Sequence, residues 1–379
     1  MLVLLMFCVM NLTGCALTSQ VEDQAYVLVM GLDRTEDGQL EMTVQIPRIS
    51  GSTNEGNSGS GDENYMQMSV KATDFEGALE KLDWASPRNV NLAQMKLIVV
   101  SQALAKEAGF RQLIANIAQT ERLFTATKVA VCEEDAKEFV SAIRPYIGTR
   151  ISTDIEAMFD HYNDCGYVPE SSLADLYYQT ESVYSDPIVT YALLNQDALR
   201  KQEEKKSTPT SAFLQSVRHA SETYESEIPT RYLGAAVFSQ GSMKCMLNGG
   251  ETILANLLRN ELDTFRYECN GQSLEFVPTR PVRLSVDTDS KPAQITINIA
   301  LSYAAQERTP DETLLKAQLK DDIETLIRTT QNAGVEPFGL AEKAAKNFLT
   351  LSDWVDYNWR IQYSNAEIMV ELRFAQSDA

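Results

Sequence analysis

The run Lys96-Leu97-Ile98-Val99-Val100 sets four large apolar residues behind a lysine, and the segment after it changes period: Phe110, Leu113, Ile114 and Ile117 recur at helical spacing. A short apolar run rich in β-branched residues reads as a strand buried on both faces, and the stripe after it as an amphipathic helix. The alternation continues downstream with a strand over 127–132 and a helix over 133–143. Upstream, 26–31 is another apolar strand. After a turn at Glu36-Asp37-Gly38, Leu40, Met42, Val44 and Ile46 alternate with Glu41, Thr43 and Gln45. A period of two marks a strand with one buried face, so these two strands form a hairpin. Met66, Met68 and Val70 continue the pairing. Thr73 and Glu76 have the spacing of a capping box ahead of a helix with Phe75, Ala78, Leu79 and Leu82 on one face. Strands alternating with helices predict an α/β layered region, and the hairpin makes its sheet mixed rather than purely parallel.

Arg144-Pro145 interrupts the pattern. Two helices come next, the first with Ile151, Ile155, Met158, Phe159 and Tyr162 on one face, the second, after Pro169, with Leu173, Leu176 and Tyr177. A short strand over 188–194 closes an N-terminal region of 15–195, whose helical part, 151–187, is the candidate for a separate unit. Residues 196–229 turn polar, carry the charge run Lys201-Gln202-Glu203-Glu204-Lys205-Lys206, and read as a linker. Residues 50–61, mostly Gly, Ser and Asn, read as a passive loop: no Lys follows, and no strand-to-helix switch surrounds them as a phosphate cradle requires.

The C-terminal region, 230–376, opens with a hairpin turning at Gln240-Gly241, then a helix marked by Ile253, Leu254, Leu257 and Leu258. Two alternating strands come after it, one with Val282, Leu284 and Val286, the other with Ile295, Ile297, Ile299, Leu301 and Tyr303. A helix over 311–330 places Leu315, Leu319, Ile323, Leu326 and Ile327 on one face, and the last strand carries Ile368, Val370, Leu372 and Phe374. This predicts an antiparallel sheet with helices on one face, an α+β plan. The expected whole is a multi-domain body of α/β and α+β type, with mixed or antiparallel sheets flanked by helices.

Charge narrows the partners. Lys and Arg number 33 against 53 Asp and Glu, a net charge of -20, which argues against nucleic acid and anionic lipid headgroups. Cys132, Cys165, Cys245 and Cys269 are spread singly without C-x-x-C spacing, so a metal site is disfavoured, while disulfide pairing stays open at three connectivities. Cys132 ends the apolar run Val129-Ala130-Val131 and reads as a core residue. His161 lies in a helical pattern and His219 in the linker, so neither a His-based triad nor a zinc centre is supported. Carboxylates such as Asp321-Asp322 and Glu133-Glu134-Asp135 read as solvated helix faces. No catalytic, cofactor-binding or metal residue is assigned. Trp354 and Trp359 are candidate partner contacts, although aromatics beside a domain's last strand are more often core.

The start of the chain has a different character. Residues 2–10 are unbroken apolar, too short for a permanent span but suited to the apolar region of a signal peptide. Leu12-Thr13-Gly14-Cys15 resembles a bacterial lipobox. The expectation is a signal peptide of 1–14 removed ahead of Cys15, whose thiol takes a diacylglycerol and which carries acyl chains such as palmitate. Each buried methylene contributes roughly 0.8 kcal/mol; one chain holds marginally and two or three hold stably. The body is then expected outside the cytoplasm, on a membrane without crossing it.

These pieces in this order resemble the Ger(x)C family of spore-germination lipoproteins. The resemblance rests on the lipobox; Gly31-Leu32-Asp33; Pro87-Arg88 before Met95-Lys96-Leu97-Ile98-Val99-Val100; and Ala103-Leu104-Ala105-Lys106-Glu107. It continues through Gly234-Ala235-Ala236-Val237-Phe238, Glu251-Thr252, Glu307, Phe338-Gly339, and the spaced Trp354 and Trp359. Glu336-Pro337 stands where the family often has an Asp before Phe-Gly. The resemblance implies a body of three α/β domains without catalytic activity or cofactor. It implies the C subunit of a nutrient germinant receptor, on the outer face of the spore inner membrane, assembled with two integral membrane subunits of A and B type. The alternative is an extracytoplasmic solute-binding lipoprotein of a transporter, which should show two α/β lobes joined by hinge strands.

Overall fold

Leu97, Ile98, Val99 and Val100 are all fully buried in the middle of an eight-stranded sheet. The computed structural model describes residues 23–48, 65–120, 123, 125–145, 150–194, 230–304 and 311–377. The expected leader with Cys15, the loop 50–61 and the linker 196–229 lie outside the described residues.

In chain order the first half comprises β1 (Gln24–Tyr26), β2 (Val29–Arg34), β3 (Leu40–Pro47), β4 (Tyr65–Ala72), α1 (Phe75–Ala85), β5 (Asn89–Asn91) and β6 (Leu97–Ser101). It continues with α2 (Gln102–Ala105), α3 (Phe110–Ala118), β7 (Lys128–Cys132), α4 (Ala136–Ala142), α5 (Ile151–Asp164), α6 (Leu173–Glu181) and β8 (Ile188–Leu194). The large sheet has the order β10-β9-β8-β7-β6-β2-β3-β4, where β9 (Thr230–Ser239) and β10 (Ser242–Leu247) come from the second half. Strands β8, β7, β6 and β2 are parallel, and antiparallel pairs flank them on both sides. β1 and β5 pair in parallel as a small separate sheet.

Alternation along β6 explains the layers. Ile98 and Val100 pack with Phe75 and Leu82 of α1 and Phe110 and Ile114 of α3, while Leu97 and Val99 pack with Phe139 of α4 and Ile155 and Phe159 of α5. Helices on both faces leave no solvated face for a polar residue, which is why the run is uninterrupted. At α1 the cap is Asp74, whose carboxylate accepts the Gly77 N–H at 2.8 Å, rather than the expected Thr73 box. The helix begins one residue later than that reading requires, and Asp caps at least as well as Thr.

The second half continues with α7 (Gly249–Arg259), β11 (Phe265–Cys269), β12 (Gln272–Pro278), β13 (Arg283–Asp287), β14 (Gln294–Ala304) and α8 (Glu312–Ala333). It ends with α9 (Leu340–Ala345), α10 (Leu351–Tyr357), α11 (Trp359–Asn365) and β15 (Glu367–Ser377). Two findings differ from expectation. The β9–β10 hairpin pairs with β8, and β9 is apolar on both faces: Ala236 and Phe238 enter the core under α1 and α3, while Ala235 and Val237 enter the core of the second half. One strand thus carries both cores, so the first sheet extends past residue 229. The second sheet, β11-β12-β14-β13 with β15 beside β14, is mixed, because the crossover through α8 to α11 returns β15 parallel to β14. β11 and β12, not singled out from the sequence, are joined by Asn270-Gly271 with both residues at positive φ, the arrangement of a tight two-residue hairpin.

Candidate functional site

In parallel α/β sheets, ligands bind beyond the carboxyl ends of the strands, commonly on the N-terminus of a following helix. In this chain Asp33 occupies that place. Its Oδ1 accepts the Ala136 N–H at 2.7 Å and its Oδ2 the Lys137 N–H at 2.9 Å, at the start of α4. Gly31, two residues earlier, allows the approach: a Cβ there would lie 3.0 Å from both Ala136 O and Val140 Cγ2. Burial raises the Asp33 pKa above the usual carboxylate value, and the two N–H donors offset this only in part. The helix N-terminus is therefore satisfied from within the chain.

A second concentration of polar groups lies where the two halves meet. Asp186, just before β8, accepts the Glu336 N–H on Oδ2 at 2.9 Å and an Arg360 Nη2 hydrogen bond on Oδ1 at 3.3 Å. Arg360 also donates to Ser239 Oγ at the end of β9. Glu336, between α8 and α9, accepts the Phe338 N–H at 2.7 Å and the Ala341 N–H at 2.8 Å, so its carboxylate caps α9. Burial pushes Glu336 up to about 7 against these donors, with a smaller contribution from Asp186. Asp186 is raised by burial too, and Arg360 counters this only partly. These groups border a cavity of about 180 Å³ whose wall includes Tyr184, Trp354 and Trp359.

Trp354 and Trp359 are 5% and 6% exposed, with ring centroids 6.1 Å apart, and Tyr184 packs on Trp354 at 5.9 Å. They belong to the core of the second half and form part of the cavity wall. Cys15 and His219 lie outside the described residues. His161 is exposed on α5. Cys132, Cys165, Cys245 and Cys269 are free thiols on separate elements, each raised in pKa by burial, Cys245 to about 12. Among the described residues, no group of three or more His, Cys, Asp and Glu is placed to hold a metal ion, and no helix is long and apolar enough to cross a membrane.

Two carboxylates expected on solvated faces are not there. Asp322 is 1% exposed and accepts the Tyr267 hydroxyl at 2.5 Å, because it falls on the apolar stripe of α8 between Leu319 and Leu326. Glu134 is half-buried and accepts the Leu194 N–H at 3.1 Å. Asp186 and Arg360 were not singled out by sequence reasoning, and Glu336 was noted only as part of Glu336-Pro337, standing where the family often has an Asp before Phe-Gly. The signal available was Glu336 itself, an acid in an otherwise apolar stretch immediately before Pro337-Phe338-Gly339.

Of the short motifs, Glu307 lies outside the described residues, and Gly234, Glu251-Thr252 and Gly339 are local structural devices. Gly234 has φ +120°, and a Cβ there would lie 2.4 Å from Leu247 O. Glu251 completes a capping box with Asn248 at α7, and Thr252 bonds back to Asn248 O at 2.8 Å. Gly339, with φ +77°, turns the chain into α9.

Residues 18–194 match the family model for a spore germination protein N-terminal domain, and residues 233–375 match the spore germination B3/GerAC-like C-terminal model. The chain belongs to this GerAC-like family. Spore germination protein KC of Bacillus subtilis (strain 168) is 29% identical over 148 residues, 38% of this chain and 36% of that protein. The putative spore germination protein YfkR of the same organism is 26% identical over 106 residues, 27% of each chain. These alignments span about a third of the relatives' lengths or less. The crystal structure of the GerBC protein matches with a TM-score of 0.52 at 11% identity, covering 92% of this chain and 97% of that one, a likeness of fold. The GerAC-like fold is thus a multi-domain body of mixed sheets with flanking helices.

Proposed function

We propose that this GerAC-like chain is the lipid-anchored, non-enzymatic subunit of a nutrient germinant receptor complex needed for spore germination. Cys15 holds it on the outer face of the spore inner membrane, and it docks to two integral membrane subunits of A and B type. The observation that carries this reading is the serial match of both halves to spore-germination families. The use the body makes of its polar groups supports it: Asp33 fills the helix terminus where a ligand anion would sit, and Glu336 caps α9. An acyl anchor confines the body to a thin layer beside the membrane, raising its effective concentration towards membrane partners so that a modest interface suffices. The test is purification of the tagged chain from gently solubilised spore membranes. Two polytopic membrane proteins should accompany it; recovery of the chain alone would refute the reading.

A further inference from the structure

β15, with 11 residues, is the longest strand at the margin of the two large sheets, and among the described residues β14 is the one strand paired with it. Unpaired strand edges invite another chain, and proteins blunt them with short strands, bulges or proline. β11 stops at 5 residues and β10 carries a bulge between Met243 and Cys245, whereas β15 runs in unbroken register and contains no proline. The Glu367 N–H donates to Ala293 O at 2.9 Å, so the odd-numbered residues turn their backbone groups to β14, and Ile368, Val370, Leu372 and Phe374 turn theirs to the open side. Ile368, Leu372 and Phe374 are half-buried, while their register partners on β14, Ile295, Ile299 and Leu301, are fully buried. The apolar layer therefore runs out to the margin of the sheet.

We infer that β15 pairs antiparallel with β15 of a second copy of this chain, about a two-fold axis at Leu372. Leu372 is the midpoint of Glu367–Ser377, so this register pairs the strand over its whole length. On the exposed face it sets Glu371 opposite Arg373 twice, at non-hydrogen-bonded positions, where side chains approach most closely. On the apolar face Val370 meets Phe374 twice and Leu372 meets its equivalent. Other registers fit less well. An axis at Glu371 or at Arg373 sets that residue against its own like charge, and an axis at Val370 puts Glu371 opposite Met369 and leaves the end of each strand unpaired. An extended segment of another protein can join any open edge, whereas this strand matches its own reverse in charge and in apolar pattern. The pairing goes beyond the receptor-subunit reading and does not depend on it.

The test is sedimentation equilibrium of the full chain in density-matched detergent. Salt of about 0.15 M, where charges are screened beyond about 8 Å, limits the long-range repulsion between two chains of net charge -20. The wild-type chain should be dimeric. Glu371→Arg sets arginine against Arg373, and Arg373→Glu sets glutamate against Glu371, so each variant should associate about tenfold more weakly, two attractive pairs having become repulsive. Both positions are exposed, and the melting temperature of either variant should be unchanged. An equimolar mixture of the two variants places Arg opposite Glu at every one of these positions and should recover the wild-type affinity. A monomeric wild-type chain, a dimer that neither variant weakens, or a mixture no tighter than the variants alone would each overturn the proposal.

Discussion

Asp33 and Ala136, 103 residues apart, are joined by a 2.7 Å hydrogen bond from the Ala136 amide to Asp33 Oδ1, which ties the end of β2 to the first turn of α4. With the Lys137 amide on the other oxygen, one carboxylate satisfies two helix-terminal donors. Asp33→Ala strands both, a loss of about 2–3 kcal/mol from an absent cap and unpaired buried amides. Asp33→Asn keeps one acceptor oxygen and should lose less. Urea unfolding midpoints of the two variants check this; equal losses would mean that the bond retained in the Asn variant contributes nothing.

Gly234 sits at φ +120° with the Leu247 carbonyl where a Cβ would be. Gly234→Ala must either strain the backbone or push β9 and β10 apart, and should be destabilised by at least about 2 kcal/mol. Gly38, at φ +76° with open space around it, serves as the control: Gly38→Ala should lose about 1 kcal/mol. Thermal melts of the pair separate steric conflict from the conformational penalty alone.

Glu336 titrates from an ordinary value of 4.5 to about 7 in the folded chain. A carboxyl raised on folding holds its proton longer in the native state, so its stabilising contribution is full below pH 4.5, falls as pH rises, and is gone above pH 7. Asp186 is shifted in the same direction by burial and adds to that slope. The wild-type melting temperature should therefore decline between pH 5 and 8, and Glu336→Gln, which cannot ionise, should flatten the decline. An identical slope in the variant would show that Glu336 does not titrate in this window.

Much of the architecture is legible in the residues. β6 is apolar without interruption because helices cover both its faces, and α8 shows its stripe from Leu315 to Ile327. The docking of β9 is not legible: Ala235 to Phe238 are apolar on both sides, and nothing local tells a strand which of two cores it joins. β11 and β12 were within reach: Phe265, Tyr267 and Cys269 alternate with Arg266 and Glu268, Leu274 and Phe276 alternate with Ser273 and Glu275, and Asn270-Gly271 between them is a hairpin signal. The Asp186–Glu336 bond is beyond local reading for a different reason. Its donor is a backbone N–H 150 residues away, a group every residue but proline possesses. Asp322 was within reach, because an acid on an apolar stripe needs a buried partner.

Under the proposed lipid anchor, Cys15→Ala should abolish incorporation of labelled fatty acid and release the body to the soluble fraction, since it would remove the acyl chains on which stable anchoring would depend. Fractionation of spore extracts with a label-specific readout checks both effects. Full membrane retention of the unlabelled variant would show that something other than lipid holds the chain.

The receptor role is tested most directly by the nutrient response of spores lacking this chain. Deletion should eliminate germination in response to one class of nutrient and leave germination by other routes intact, with the wild-type gene restoring the lost response and Cys15→Ala restoring it poorly. Spores that answer every nutrient at the wild-type rate without this chain would contradict its assignment as a germinant receptor subunit.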